Sequence, residues 1–466
     1  MNELLSLLNV ALVELLIFSA FWFLLGAIDD LLIDLFWTTR KIYRKIRYYR
    51  TRPPMTAAEL PDAQRPGLLA VFVPTWQEAG VIADMLGNCL KAWGQSGCDY
   101  RIYVGCYPND MAGACRIMQA ARRDSHLNLV MCNHDGPTSK ADCLNQLWEA
   151  LVGDEIAFGI KAKAVILHDA EDFVHRDELR LFDRLIEEHP AVQLPVLPLP
   201  VAGSPFVSSH YCDEFAEAHG KSLPVREALG ASVPLAGVAC AIDRQILGRV
   251  ALDNNHRPFD SSSLTEDYEL GFKISRYGQT ILARLRGSDG ELVCSRSHFP
   301  ATLETAVRQK ARWITGIALA GWDKLGWSGS LAQKWMLLRD RKAVFAAIVL
   351  FCAYICILLT GLLSLAWLAG WFVPARLPEG LVTLLWINFG FLIWRMGIRL
   401  AFVARLYGFR QGLLSIPRTF VANIIAIMAA RRAFIGYLRH LFGAELGWDK
   451  TEHGHFPENL GKGKNA

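Results

Sequence analysis

The stretch AVILHDAED at residues 164–172 decides the fold of this chain, because four apolar residues are followed at once by a cluster of acids. An uninterrupted apolar run of this length is typical of a strand that is buried on both faces of a sheet. Acids directly after such a strand lie at the carboxyl edge of the sheet, where open α/β sheets bind their ligands. We therefore predict a buried strand over Ala164–Leu167 with a polar site at its end.

The chain before this stretch alternates between strand and helix patterns, which predicts an α/β domain with a mostly parallel sheet. Glu78, Asp110 and Asp169 each follow a predicted strand, so we expect their side chains at one edge of the sheet. The predicted elements before Ala164 are the strand Leu69–Val73, the helix Gly80–Trp93, the strands Tyr100–Gly105 and Leu127–Cys132, and the helix Ala141–Leu151.

The composition indicates a domain in water that is joined to helices in a membrane. Of the 466 residues, 52% are hydrophobic and 20% are charged, and the mean hydropathy is +0.22. The chain is too apolar for an ordinary soluble enzyme and too charged for a pure membrane bundle. We predict one soluble domain of roughly 250–300 residues plus a few membrane helices. The net charge of +4 gives no reason to expect a nucleic-acid partner.

Three segments are predicted to span the membrane, namely 5–28, 343–372 and 381–402, since each offers the ~20 apolar residues that a span requires. Residues 40–52 are rich in Arg and Lys and contain no acid. The positive-inside rule therefore places residues 40–342 and the C-terminus in the cytoplasm. For 413–430, which has basic flanks, we favour an interfacial or re-entrant helix over a fourth span.

Arg395 and Arg399 fall inside the third predicted span, four residues apart and therefore on one helix face. A guanidinium in hydrocarbon costs at least ~2.5 kcal/mol, so both should face protein, water or the interface. Two interpretations remain open. The side chains either extend to the cytoplasmic surface or form a polar lining for a path across the membrane.

These patterns divide the chain into five segments, and the residues beyond Asp449 are expected to fray. The segments are an N-terminal transmembrane helix (1–39), a basic cytosolic linker (40–67), the α/β domain with an interfacial helix (68–325), transmembrane and interfacial helices (326–440) and a cytosolic tail (441–466).

Four short motifs occur in a fixed order along the predicted domain, and each has an ordinary structural explanation. Thr265 suits a helix N-cap, and the acids after it suit the first helical turn. Arg312 and Trp313 suit a membrane-surface anchor. The motifs are Pro74-Thr75-Trp76-Gln77-Glu78, His168-Asp169-Ala170-Glu171-Asp172, Thr265-Glu266-Asp267 and Gln309-Lys310-Ala311-Arg312-Trp313.

In this order the four motifs resemble those of the processive family-2 glycosyltransferases of membranes. The resemblance implies a GT-A fold, a UDP-activated hexose or N-acetylhexosamine as donor, Mg²⁺ or Mn²⁺ as cofactor and a growing polysaccharide as acceptor. Longer strings, such as residues 306–317, are similar to exopolysaccharide enzymes of the bacterial inner membrane that work with an outer-membrane partner. Many members add a domain that binds cyclic di-GMP, for which this sequence offers no segment, so direct control by that nucleotide is not expected.

The resemblance also implies a donor site and a metal site. Glu171 stands where the family has the second acid of an Asp-x-Asp motif, which leaves open whether Glu171, Asp172 or both contact the metal. The implied metal ligands are Asp169, Glu171 and Asp172. The implied donor-binding residues are Pro74, Thr75, Glu78, Asp110 as a uracil contact, Lys140, Asp169, Gln309 and Arg312.

The catalytic group implied by the resemblance is Thr265, Glu266 and Asp267. Asp267 would be the general base that deprotonates the acceptor hydroxyl in an inverting displacement. Trp313 would be a platform for the acceptor sugar, with Gly237 nearby on a strand predicted over Gly237–Cys240. Three single histidines are predicted to be structural rather than ligands, and they are His134, His168 and His219.

Two other functions fit the same sequence. A single-transfer enzyme acting on a lipid-linked acceptor would share the donor site but would not need the Gln309–Trp313 platform. A membrane scaffold or receptor subunit would retain the fold with a vestigial site. Three spans are few for a complete polysaccharide channel, so a homo-oligomer or partner helices would be needed to complete one.

Overall fold

A seven-stranded sheet forms the centre of the soluble domain in the structure, a computed structural model that describes residues 2–443. The predicted frayed segment beyond Asp449 lies outside the described residues. The order of the strands is β3-β2-β1-β4-β6-β5-β7. The strands are β1 (Leu68–Pro74), β2 (Tyr100–Cys106), β3 (Leu127–Met131), β4 (Ala162–Leu167), β5 (Ala191–Gln193), β6 (Cys240–Asp243) and β7 (Ile281–Leu282).

The sheet is parallel from β3 to β4, and β6 runs antiparallel to both β4 and β5. The predicted fold class is confirmed, and the first four strands match their predicted bounds closely. The strand predicted over Gly237–Cys240 is wrong in position. Gly237 and Ala239 have φ values of 72° and 49°, which a strand does not allow, so the strand begins only at Cys240.

Alternating side chains of the central strands form two apolar layers, one on each face of the sheet. Val71 and Ile166 belong to the layer under α2, whereas Phe72 and Val165 belong to the layer under α4. The helices of the domain are α2 (Ile82–Trp93), α3 (Met111–Ala121), α4 (Lys140–Phe158), α5 (Glu178–Leu185), α6 (Ser209–Glu217), α7 (Leu223–Ala228), α8 (Arg244–Leu252), α9 (Glu266–Ile274), α10 (Leu303–Ile314), α11 (Ala320–Leu325) and α12 (Leu331–Arg341).

Four of the described helices are long and apolar enough to cross a membrane. They are α1 (Asn2–Arg47), α13 (Ala343–Leu368), α14 (Glu379–Tyr407) and α15 (Phe409–Leu441). The spans predicted over 5–28 and 381–402 lie within α1 and α14, whereas α13 ends at Leu368, four residues before the end of the span predicted over 343–372. Residues 40–47, assigned above to a linker, continue α1 because Arg and Lys are good helix formers and the first proline after them is Pro53.

Helix α15 contacts the soluble domain at several points along its length. Arg418 lies 2.8 Å from Asp213 of α6, and the hydroxyl of Tyr437 donates to Asp323 of α11. Between these points Ala429 is buried in an apolar cluster with α10. Helix α15 therefore contacts the soluble domain at both ends and in the middle, and the interfacial placement of 413–430 stays a prediction.

Buried ion pairs join the membrane helices to a π-helical turn over Ala218–Ser222, which directly follows α6. The Lys221 ammonium lies 2.5 Å from Asp34 of α1 and 3.3 Å from Glu217. Arg399 of α14 contacts Glu217 at 2.8 Å, and Arg395 contacts it at 3.3 Å. Arg395 and Arg399 therefore face acidic side chains of the protein, as expected for cations within an apolar helix. They form a joint between α14 and the soluble domain.

Replacing Lys221 with methionine should destabilise the protein, because Asp34 would stay buried without its cation. Removing one partner of a buried pair costs about 3–5 kcal/mol. The measurement is thermal unfolding of the purified chain in detergent. Lys334→Met, at an exposed position of α12, is the matched control and should change stability by less than about 0.5 kcal/mol. Equal unfolding temperatures for the two variants would contradict a stabilising role of the ion pair between Lys221 and Asp34.

Candidate active site

A cavity of about 460 Å³ opens at the carboxyl edge of the sheet. The segments after β1 and β4 line it, as do the segment before β6, the start of α9 and one face of α10. Because β6 is antiparallel to β4, with Cys240 opposite Leu167, the chain before β6 reaches the edge where β4 ends. Sheet topology thus brings the motifs after β1 and β4 to one place, and the start of α9 and the face of α10 add the other two.

Most of the predicted site residues line this cavity, whereas Asp110 and Gly237 are not among its lining residues. The predicted residues that line it are Pro74, Thr75, Glu78, Lys140, Asp169, Glu171, Asp172, Thr265, Glu266, Asp267, Gln309, Arg312 and Trp313.

Asp110 acts on the site only through a neighbouring loop. One oxygen accepts from the Gly113 amide at 3.1 Å and caps α3, and the other accepts from the Gln77 amide at 2.6 Å. Gln77 has a φ of 55°, so this bond holds a conformation that few residues adopt. Asp110 therefore shapes the loop after β1, and the uracil contact predicted for it has no support from the cavity lining.

Lys140 is a central cation of the cavity. Its ammonium lies 2.5 Å from Asp169 and donates to the Gly237 carbonyl at 3.1 Å. Burial alone would lower the pKa of Lys140, but the charges of Asp169, Glu266 and Asp267 outweigh burial and raise the pKa above its ordinary value. Lys140 therefore stays protonated and screens carboxylates that would otherwise repel one another.

His168 fixes the acidic loop, residues 169–172, through two buried ion pairs. The ring lies fully buried, with Nδ1 2.8 Å from Asp172 and Nε2 2.6 Å from Glu178. Burial lowers the pKa of His168, but Glu178 and Asp172 outweigh it and raise the pKa to about 10, so the ring is an imidazolium. Asp172 also accepts from the Asp169 amide at 3.2 Å. The structural role predicted for His168 agrees with these contacts.

Asp169 and Glu171 are the acids of this loop that suit a divalent cation. Asp172 lines the cavity too, but its Oδ2 already contacts His168 and accepts from the Asp169 amide, so the metal role predicted for Asp172 has less support. In the described part of the chain, no group of three or more His, Cys, Asp or Glu side chains could hold a metal ion alone. Mg²⁺ and Mn²⁺ often take only one or two protein carboxylates and complete their shell with substrate phosphates and water.

Asp267 lies beside the positive-φ turn before β6. A Cβ on Gly237 would come within 2.7 Å of the Asp267 carboxylate, so glycine is required for this close approach. Burial and the charge of Glu266 raise the pKa of Asp267 to about 7, although Lys140 and Arg312 act to lower it. Such a carboxylate can both accept and hold a proton near neutral pH.

Thr265 stands at the N-cap position of α9, but its hydroxyl makes no capping hydrogen bond. Its Oγ1 is buried without a hydrogen-bond partner among the described residues. The π-helical turn Thr315–Leu319 packs against the Thr265 hydroxyl, and a Cβ on Gly316 would lie only 2.5 Å from its Oγ1. The capping explanation of Thr265 therefore fails, and its hydroxyl remains available to a ligand.

Helix α10 presents Gln309, Arg312 and Trp313 on one face, because residues three and four apart are neighbours on a helix. Gln309 Oε1 and Arg312 Nε are buried, and within residues 2–443 neither has a hydrogen-bond partner. Buried polar atoms of this kind are costly unless a ligand or water satisfies them. Trp313 packs edge-on against Tyr211, with ring centroids 6.0 Å apart.

Several lining residues were not predicted from the sequence. Phe215 and His219 come from α6 and the turn after it, and His298 and Phe299 come from the segment before α10. No motif marks them. The only signal is the proline-rich stretch 194–205, which the structure pairs with the second segment through a bridge between Leu199 and His298.

Comparison with known families agrees with this geometry. The model of the family described as "Glycosyl transferase family group 2" matches residues 164–375, a range that includes the acidic loop, α9 and α10. These residues therefore match a family 2 glycosyltransferase domain. The match begins at Ala164 and includes three of the four motifs, which agrees with the family that the motifs predicted.

Two curated relatives match almost the whole chain. Bacteriophage adsorption protein B of Escherichia coli (strain K12) and bacteriophage N4 adsorption protein B of Escherichia coli O157:H7 are each 39% identical over 94% of this chain. The chain spans 61% of the length of these relatives.

A solved structure supports the GT-A fold. The mannosyltransferase PcManGT from Pyrobaculum calidifontis, in complex with GDP-Man and Mn²⁺, aligns with a TM-score of 0.53 at 16% identity. The alignment covers 92% of this chain and 99% of that chain. It therefore extends over the sheet and the apolar helices together.

Replacing His168 with asparagine should destabilise the domain by about 3–5 kcal/mol, since Asp172 and Glu178 would remain buried without their cation. Because the folded-state pKa is raised to about 10 from 6.5, the contribution of His168 is complete below pH 6.5 and is lost as the pH rises through 10. Thermal unfolding between pH 6 and 10.5 should therefore show a decline in the wild type that the variant lacks.

His126→Asn is the matched control, because His126 pairs with Asp124 at a more exposed position. This change should cost about 0–1 kcal/mol. Equal losses of stability in His168→Asn and His126→Asn would contradict a buried imidazolium at His168.

Proposed function

We propose that this chain is an inverting, processive glycosyltransferase that moves a hexose or N-acetylhexosamine from a UDP-sugar to a growing secreted polysaccharide. It would act at the cytoplasmic face of the bacterial inner membrane. One observation carries the proposal. A single cavity gathers a half-buried carboxylate with a pKa near 7 (Asp267), two cationic side chains (Lys140 and Arg312) and an aromatic platform (Trp313).

In the proposed reaction Asp267 accepts the proton of the acceptor hydroxyl while the hydroxyl oxygen bonds to the anomeric carbon of the donor sugar. The bond from that carbon to the diphosphate breaks, and UDP leaves with the electron pair. Lys140, Gln309 and Arg312 line the same cavity and would contact the diphosphate. A guanidinium and an ammonium give charge-assisted hydrogen bonds to phosphate oxygens, and such bonds are roughly twice as strong as neutral ones.

Asp169 and Glu171 would hold Mg²⁺ or Mn²⁺ beside the donor. When bound, the ion would neutralise charge that develops on the leaving diphosphate. Both side chains supply the oxygen ligands that these ions prefer, and both line the cavity. Lys140 lies 2.5 Å from Asp169, so a cation at Asp169 would free this ammonium to turn toward the phosphates.

Two observations favour processive transfer over a single transfer to a lipid-linked acceptor. The Gln309–Trp313 platform lines the cavity, and α15, which packs on α10, belongs to the helices that are apolar enough for a membrane. An acceptor on Trp313 would therefore lie next to membrane helices. An outer-membrane partner for export and a homo-oligomer that completes a channel are further parts of this proposal. The length of the product separates the two modes of transfer.

Replacing Asp267 with asparagine should lower transfer at least 100-fold, because an amide cannot accept the proton of the acceptor. The measurement is UDP release by the purified chain in nanodiscs with Mg²⁺ or Mn²⁺, across a panel of UDP-sugars. Asp260→Asn, which removes an acid paired with Lys324 outside the cavity lining, should keep wild-type turnover. Wild-type turnover should also fall as the pH drops below about 7, since Asp267 becomes protonated.

Two outcomes would contradict the proposed base. In one, UDP release by Asp267→Asn equals that of the wild type. In the other, folded wild-type protein releases no UDP from any donor, which would favour the scaffold alternative or an obligatory partner.

Replacing Asp169 with asparagine should weaken Mn²⁺ binding in the presence of UDP about tenfold or more, or by about 1.4 kcal/mol. Electron paramagnetic resonance of free Mn²⁺ measures the affinity without any need for turnover. Asp177→Asn, an acid further along the same segment that does not line the cavity, is the control and should bind like the wild type. If both variants bind Mn²⁺ as tightly as the wild type, the metal site lies elsewhere.

A further inference from the structure

A buried arginine lies at the end of α12, outside the cavity of the candidate active site. Arg341 is the last residue of α12 and is only 5% exposed, and it does not line that cavity. Its Nε, Nη1 and Nη2 atoms are all buried without a hydrogen-bond partner among residues 2–443. A guanidinium offers five N–H donors, and burying a charge without acceptors is costly. An anionic ligand at this place would supply the missing acceptors.

The acids of α11 and α12 are engaged with other side chains. Asp340 of α12 accepts from Arg226 at 2.8 Å and from the Tyr268 hydroxyl at 2.7 Å. Asp323 of α11 accepts from the Tyr437 hydroxyl. In the part of the chain that the structure describes, neither acid forms an ion pair with Arg341.

Two tryptophan rings contact the guanidinium of Arg341. Its Cζ atom lies 4.6 Å from the ring centroid of Trp327 and 5.4 Å from that of Trp322, and the two rings meet edge to face. Cation–π attraction holds the guanidinium but leaves its N–H groups without an acceptor. Both rings are partly exposed, 45% for Trp322 and 37% for Trp327. Tryptophans at such positions are typical of the interface between a membrane and water.

Arg341 belongs to an exposed apolar face that continues from α12 onto α13. Leu338, Arg341, Phe345 and Ile348 follow one another at helical spacing, and the three apolar side chains among them are exposed. Helix α13 is apolar enough to cross a membrane, and residues 343–375 carry no charge. When α13 crosses a membrane, Arg341 lies at the level of the lipid headgroups and the apolar face lies beside acyl chains.

We propose that Arg341, Trp322 and Trp327 bind the phosphate of an anionic phospholipid, with its acyl chains along Phe345 and Ile348. Arginine and phosphate form charge-assisted hydrogen bonds that are often bidentate. Basic pockets beside membrane helices bind lipid headgroups in the same way. The site goes beyond the proposed sugar transfer, because it assigns a ligand to the membrane surface of the chain.

The phosphate reaches the guanidinium only when one tryptophan ring moves aside. Trp327 lies in a turn between Gly326 and Gly329, which have φ values of 56° and 104°. Glycine adopts such values without strain and gives the backbone extra freedom, so this turn permits the ring of Trp327 to shift. Trp322 would continue to hold the guanidinium from its other side.

The test follows thermal unfolding of the full chain in detergent, so it needs no sugar transfer. The probe is dioctanoylphosphatidylglycerol, which should raise the unfolding temperature of the wild type by about 2–4 °C at about 100 times Kd. Arg341→Met should show no such rise. Without lipid this variant should unfold at or above the wild-type temperature, because an apolar residue replaces a buried cation that lacks acceptors.

Arg341→Lys is a second variant, which keeps the cation but removes the planar group that binds two phosphate oxygens. Its rise with lipid should be less than about half that of the wild type. Lys334→Met is the matched control, since it removes an exposed cation of α12, and it should keep the wild-type rise.

Two further probes separate the lipid headgroup from its parts. Dioctanoylglycerol has the same acyl chains without phosphate, and inorganic phosphate is the free anion. Neither should give a rise that Arg341→Met abolishes.

Four outcomes overturn the lipid site. The first is an equal rise with the phosphatidylglycerol in Arg341→Met and in the wild type, and the second is a loss of the rise in Lys334→Met. The third is a rise with dioctanoylglycerol or inorganic phosphate that Arg341→Met abolishes. The fourth is a lower unfolding temperature of Arg341→Met without lipid, since the guanidinium would then already have a partner within the chain. UDP release tests the proposed function separately, so the two failures are distinguishable.

Discussion

The contact between Lys140 and Asp169 at 2.5 Å is the interaction on which the rest of the site depends. Asp169, Glu266 and Asp267 all act on this one ammonium, and without a cation between them their charges would repel across a buried space. Lys140 also donates to the Gly237 carbonyl. It therefore ties the end of β4 to the turn before β6, and that turn leaves room for Asp267 only because residue 237 is glycine.

Oppositely charged side chains also pair where the domain meets the helices that are apolar enough to cross a membrane. Glu217 precedes the turn that carries His219 and pairs with Arg395 and Arg399 of α14. Lys221 lies in the same turn and pairs with Asp34 of α1 and with Glu217. Broken buried pairs are strongly destabilising, so these contacts fix the position of α6 relative to α1 and α14. The wall of the cavity beside Trp313 is thus attached to two of the helices that are apolar enough to cross a membrane.

The sequence was most informative where a local pattern determines the structure. The apolar run before Asp169 and the alternation around it predicted the first four strands, because burial on both faces requires such runs. Gly237 was wrongly predicted to lie on a strand, because no local pattern reveals its positive φ or its close approach to Asp267. Likewise Asp110 was predicted to contact a ligand, although its oxygens accept hydrogen bonds from the backbone amides of Gln77 and Gly113.

The second wall of the cavity could not be predicted, for a related reason. His219 and His298 lie 79 positions apart in the chain, and only the packing of α6 against the segment before α10 brings them to one cavity. A single histidine without a neighbouring acid or cysteine gives no spacing signal, so the structural interpretation was the natural one. The Nδ1 atoms of both rings are buried without a hydrogen-bond partner among the described residues, a feature that becomes visible only in three dimensions.

The most direct test of the account is a cryo-EM structure of the full chain in nanodiscs with UDP and Mn²⁺. The account predicts nucleotide density in the cavity, Mn²⁺ between the diphosphate and the carboxylates of Asp169 and Glu171, and the Lys140 ammonium turned from Asp169 toward a phosphate oxygen. Nucleotide bound outside the cavity would contradict it. So would nucleotide bound inside the cavity with the Lys140–Asp169 pair unchanged and no metal at these carboxylates.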